Sequence, residues 1–200
     1  MVFVYGFILG ISLIISLGPQ NLFLIRQGVL KQHALVSATA CFVCDIILIG
    51  GSITGLHHVL EQHPSLTFWL TLAGSVFLLI YGSKSIRGAI TQSGPKQTNT
   101  ENGESSYWKI IFLALGFSLL NPQAIIDSMI IIGGGSVPYS AHITTFLIGV
   151  LTASFLWFFL LTLTAYHFSD FLIQDKIWGG LQLLSGILMI VIAIKLILPT

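Results

Sequence analysis

Forty-two consecutive residues, Ser128 to Ser169, contain no Lys, Arg, Asp or Glu. A run of that length is long enough for parts of two membrane-crossing helices, each of which needs about 20 mostly apolar residues. Two further uncharged runs, Met1–Ile25 and Gln62–Ser83, are each about one span long. Charged residues make up 8% of the chain and apolar ones 54%, with a mean hydropathy of +0.93. A soluble domain carries roughly 25% charge to wet its surface, so a soluble globule is excluded. The runs are too long for barrel strands and do not alternate. The expectation is an all-α, multi-pass membrane protein with spans at 2–25, 34–57, 66–87, 109–132, 141–165 and 177–197. The first run lacks the positive flank of a secretory signal and reads as a retained helix.

Charge placement orients these spans. Arg26, Lys31, Lys84, Arg87, Lys96, Lys109 and Lys176 fall in or beside the first, third and fifth connections, and only Lys195 falls on the other side. Positive residues stay in the cytoplasm, so the odd connections are cytoplasmic and both termini lie outside. Net charge is +1, which leaves no footprint for nucleic acid. The polar stretch TQSGPKQTNTENGESSY at 91–107 reads as a linker. It divides the chain into a three-helix unit at 1–90, a cytoplasmic linker at 91–108 and a second three-helix unit at 109–200. An odd number of helices per unit makes the repeat inverted in the membrane. One motif pair supports it: Leu17-Gly18-Pro19-Gln20 and Leu120-Asn121-Pro122-Gln123 each fall in the first helix of their half. GGGSVPYS at 133–140 is expected to turn the chain between spans four and five.

The candidate site comes from groups that lipid does not tolerate. A proline inside a helix removes a backbone donor and frees the carbonyl four residues earlier. Pro19 would free Ile15 and Pro122 would free Ser118. Each proline is either a simple kink or part of a midplane substrate site. The flanking amides Gln20, Asn21, Asn121 and Gln123 fit the second reading. Asp45 and Asp127 lie deep in spans two and four, where an aspartate costs roughly 2.5–3.5 kcal/mol to insert. Each is either a structural hydrogen-bond acceptor or a cation or proton site. Ser37, Cys41, Cys44, Leu48, Ser52 and Gly55 share a helix face with Asp45, so Asp45 should point into the bundle. Arg26 reads as an anchor at the cytoplasmic end of span one. Cys41-x-x-Cys44 raises a thiol oxidoreductase as a rival class, although no basic neighbour would activate either thiol. His57, His58 and His63 read as interfacial rather than metal-binding, and Phe155–Phe159 as lipid-facing or packing surface. No phosphate-binding loop is present, and neither cofactor nor metal is expected.

Gly18-Pro19-Gln20-Asn21, then Leu24-Ile25-Arg26-Gln27-Gly28 and His33-Ala34-Leu35, resembles the start of the lysine exporter (LysE) family. Asp45–Ile49, Phe77–Gly82, and Leu120-Asn121-Pro122 with Asp127 beyond fit the same pattern. Ala153–Phe159 looks like span five of its arginine exporter branch. The resemblance covers nearly the whole chain. It implies a secondary exporter of a basic amino acid in the bacterial inner membrane, driven by the proton or membrane-potential gradient, with oligomeric state open and a homodimer among the options. The implied partners are the amino acid, a proton and the lipid bilayer. The basic amino-acid exporters usually carry a histidine and a tyrosine where Gln123 and Ile125 stand. Homoserine or threonine export is therefore the alternative.

Overall fold

In a computed structural model the chain is helical throughout its described part, which comprises residues 1–15, 18–31, 33–53, 64–91, 103–121, 124–125 and 127–197. Seven long helices run in order: α1 (Val2–Ile14), α2 (Pro19–Leu30), α3 (Ala34–Ile53), α4 (Pro64–Ile90), α5 (Gly103–Leu119), α6 (Ile143–His167) and α7 (Asp175–Ile197). No strand occurs among the described residues. Among the described residues, three helical stretches are long and apolar enough to cross a bilayer: Ala34–Ser52, Gly133–His167 and Asp175–Lys195. The bent pair α1 and α2 makes a fourth when counted as one broken span.

The first expected span is thus two helices, inclined at 79° to each other. Pro19 does not kink a continuous helix; it opens α2 at the first helical position, where its missing N–H is no loss. Span four is likewise divided. α5 ends at Leu119, and a wide π-helical segment covers Asp127–Ile132. The stretch expected as a turn at 133–140 is helical instead, with one α-turn (Gly133–Ser136) and a 3-10 segment (Val137–His142) leading into α6. Pro138 is tolerated because it sits in the first turn of that segment. The backbone leaves helical geometry at Tyr139, at φ −113° and ψ 21°, and again at His142, at φ −132° and ψ 34°. α5 begins at Gly103, inside the stretch expected as linker. Polarity marks that stretch as outside lipid but does not prevent a helix from extending into it.

Small residues let the helices approach closely, which matters because lipid provides no hydrophobic drive for helices to associate. α1 lies along α6, where a side chain at Gly6 would collide with the Phe146 carbonyl and one at Gly149 with that of Phe3. α4 and α7 form a second tight pair. There a Cβ on Gly186 would stand 2.8 Å from the Gly82 carbonyl, and Ser85 Oγ donates to the Gln182 carbonyl at 2.8 Å. α3 packs against α5 and α6 and takes a central position. The core includes Leu24, Ala38, Cys41, Leu78, Ala114 and Phe158.

A candidate transport site at the broken helix

α3 buries the face expected from its small residues: Ser37, Cys41, Cys44, Asp45, Leu48 and Ser52 are all buried. Gly55 lies outside the described residues, as do His57, His58 and His63. Asp45 is therefore turned into the bundle, at 7% exposure. Ser154 of α6, itself fully enclosed, donates a hydrogen bond from Oγ to Asp45 Oδ2 at 2.8 Å.

Asp45 opens onto a cavity of about 70 Å³, room for several water molecules. Its polar lining comprises Gln20, Asn21, Asp45, Asn121 and Ser128. Leu13, Ile14, Ile49, Ile132 and Phe158 close the apolar side. Gly18, the residue before α2, also lines it. Gly18 is extended, at φ −101° and ψ 176°, and provides no side chain to cap the helix. The positive end of the α2 dipole therefore faces the cavity without a capping group, which favours an anion there. Gln20 is 8% exposed, and its side-chain nitrogen finds no acceptor among the described residues. A buried amide donor without a partner costs on the order of 1–3 kcal/mol. A polar occupant of the cavity would remove that cost.

Asn21 closes the break between α1 and α2. Its Nδ2 donates to the Ile14 carbonyl at 2.8 Å, and its Oδ1 accepts from Trp157 Nε1 at 3.2 Å. The carbonyl met is Ile14's, one residue earlier than a helix continuous through Pro19 would free. Trp157 was read from the sequence as lipid-facing or packing surface. Its immediate neighbours Phe155 and Leu156 are exposed, but Trp157 is half-buried and Phe158 lines the cavity. No local pattern separates an indole that faces lipid from one that reaches a broken helix.

The structure brings Gln20, Asn21, Asp45 and Asn121 together around the cavity, with Pro19 buried between the lining residues Gly18 and Gln20. Pro122 and Gln123 lie outside the described residues. Asp127 begins the π-helical segment whose Ser128 and Ile132 line the cavity; its own side chain is outside the described part. Arg26 stands on α2 with its side chain exposed, away from the cavity lining. Ser128, Ser154 and the Trp157–Asn21 bond escaped the sequence reading. Cys41 and Cys44 are free and buried. No cluster of metal-ligand type occurs among the described residues.

The chain is 35% identical over 193 residues to the arginine exporter protein ArgO of Salmonella paratyphi A, covering 96% of this chain and 90% of that one. The same identity and coverage hold for the proteins of that name from Salmonella enteritidis and Salmonella typhimurium. No solved structure matches. The profile of LysE type translocators matches residues 11–200. With a helical membrane fold and a buried polar cavity at a broken helix, the chain belongs to the LysE family of translocators and is a transporter rather than an enzyme.

Proposed function

We propose that this transporter exports a basic amino acid, arginine or lysine, across the bacterial inner membrane, driven by the proton or membrane-potential gradient. The observation that carries the reading is the cavity shared by the Asp45 carboxylate and the start of α2. Arginine and lysine each bring two cationic groups and one carboxylate. Asp45 meets a cation, and the α2 dipole with the Gln20 amide meets the carboxylate. Asp127, one residue before the cavity-lining Ser128, is the second acidic group on the path. Pro122 and Gln123 complete the substrate site as proposed residues, and Arg26 anchors α2 at the cytoplasmic face. A proton arriving from outside at one of the aspartates releases the cation and couples export to the gradient. The name of the 35%-identical relatives supports arginine.

The reading includes six spans built as two inverted three-helix repeats, with both termini outside. α1 with α2, α3 and α4 form the first repeat; α5 with the π-helical segment, α6 and α7 form the second. Packing supports this. α1 lies along α6 and α5 lies along α3, as exchange of the halves requires. An offset of 103 residues superposes Gly18-Pro19-Gln20-Asn21 on Asn121-Pro122-Gln123-Ala124, and Gly18, Asn21, Asn121 and Ala124 all line the cavity. An offset of 109 pairs Ser37, Cys41, Cys44, Asp45 and Ile49 with Phe146, Val150, Ala153, Ser154 and Phe158, every one of them buried. Asp45 and Ser154, equivalent under that offset, touch each other, as residues beside a twofold axis do.

The alternative substrate, a neutral amino acid such as homoserine or threonine, rests on Gln123 and Ile125. The deciding experiment loads cells with labelled arginine, lysine, homoserine and threonine and follows efflux with and without the protein. Arginine or lysine efflux that collapses with the proton gradient is the expected result. Efflux of only the neutral pair would overturn the basic-substrate reading.

A further inference from the structure

We propose that Trp157 is a positioning residue for the substrate, acting through Asn21 to hold the α1–α2 break in its binding shape; this rests on the export reading above. Trp157 is not among the cavity-lining residues, but Asn21 is. The hydrogen bonds of the Asn21 side chain to Ile14 and Trp157 admit one orientation of the amide. An indole N–H can only donate, so it must face Oδ1; a carbonyl can only accept, so it must face Nδ2. Trp157 on α6, Asn21 at the start of α2 and Ile14 at the end of α1 are thus tied at one point. That point fixes where the positive end of α2 and the unpartnered Gln20 amide sit relative to Asp45.

The opposite half argues that this clamp serves the ligand rather than the fold. Under the offsets of 103 and 109, Asn21 corresponds to Ala124 and Trp157 to Leu48. Neither Ala124 nor Leu48 carries a side-chain hydrogen-bonding group. The same pair of side-chain hydrogen bonds therefore cannot form between those two positions. An Asn–Trp clamp of this kind is thus confined to the α1–α2 break.

The test is transport kinetics in proteoliposomes with Trp157→Phe, Trp157→His and Asn21→Leu, alone and combined. Trp157→Phe is expected to raise the half-saturation concentration for arginine or lysine about two- to tenfold, the weight of one hydrogen bond. The maximal rate should change far less. Trp157→His, which keeps a ring N–H, restores part of that loss. In the Asn21→Leu background Trp157→Phe adds nothing further. An unchanged half-saturation value, a loss confined to maximal rate, or full additivity with Asn21→Leu would overturn the proposal. Wild-type protein that moves neither basic amino acid overturns the export reading instead. The clamp is then judged by thermal unfolding of the same purified variants, where additive shifts in midpoint reject it.

Discussion

Ser154 Oγ donates to Asp45 Oδ2 across the α3–α6 contact at 2.8 Å, so the carboxylate at the centre of the bundle is held by a neutral partner. No Lys or Arg lies within α3, and the only ion pair among the described residues, Lys31 with Asp170 at 3.6 Å, is elsewhere at an exposed position. A buried carboxyl bonded to a neutral hydroxyl keeps its capacity for a cationic ligand. A buried charge neutralised by an arginine would not.

Asp45→Asn is expected to reduce export of basic amino acid by well over tenfold while the protein still reaches the membrane. The amide is isosteric and still accepts from Ser154, so the loss isolates the charge. Removing one partner of a buried charged interaction costs about 2–5 kcal/mol. Ser154→Ala should weaken binding less, by about 1.5–3 kcal/mol, since a hydrogen bond to the charge is lost but the charge remains. Efflux of labelled arginine, normalised to membrane protein by immunoblot, measures both. Normal efflux by Asp45→Asn would remove that carboxylate from the site.

Asp127→Asn tests the second carboxylate. Asp127 opens the π-helical segment Asp127–Ile132, and such widened turns concentrate at functional places. The expected outcome is loss of export with membrane levels retained. If instead the variant disappears from the membrane and export per molecule stays normal, the aspartate supports the segment and takes no part in transport.

The periodicity of α3 was legible because a buried polar face on one straight helix repeats at fixed spacing, and Ser37, Cys41, Cys44, Asp45 and Ser52 all obey it. Both helix breaks were legible as places, through Pro19 and Asn121-Pro122. The form of the first break was not, because a proline reads the same whether it kinks a helix or begins the next one. The angle depends on what lies beyond, here Asn21 reaching Ile14 and Trp157. Contacts such as Ser154 with Asp45 join residues 109 positions apart and leave no local pattern. Gly133–Ser136 was misread as a turn because glycine content signals flexibility in water, whereas in an apolar setting every backbone group must still be bonded, which favours helix.

Orientation has its own prediction. Seven of the eight Lys and Arg residues fall on the side of the first, third and fifth connections. A phosphatase fused after Thr200 should be active outside the inner membrane, and a reporter that works only in the cytoplasm should be silent there. The reverse pattern would mean an odd number of crossings, which would dismantle the paired-repeat reading, or an inverted insertion, which would overturn the orientation alone.

The two cysteines separate transport from thiol chemistry. Cys41 and Cys44 are 0% and 1% exposed on the packed face of α3, so no exchange partner reaches either sulfur in this conformation. Attack on a disulfide needs both an accessible sulfur and its thiolate. Their place on the face that carries Asp45 suits packing, with small side chains letting α5 and α6 approach. The double variant Cys41→Ser, Cys44→Ser should therefore keep export within about threefold. The replaced groups are similar in size, and the cost is about 1–3 kcal/mol of stability for any hydroxyl left without a partner. Efflux and a thermal unfolding midpoint measured on the same preparation distinguish the cases. A lowered midpoint with export retained fits packing. Export abolished at an unchanged midpoint would give the thiols a direct part in the activity and revive redox chemistry as a rival.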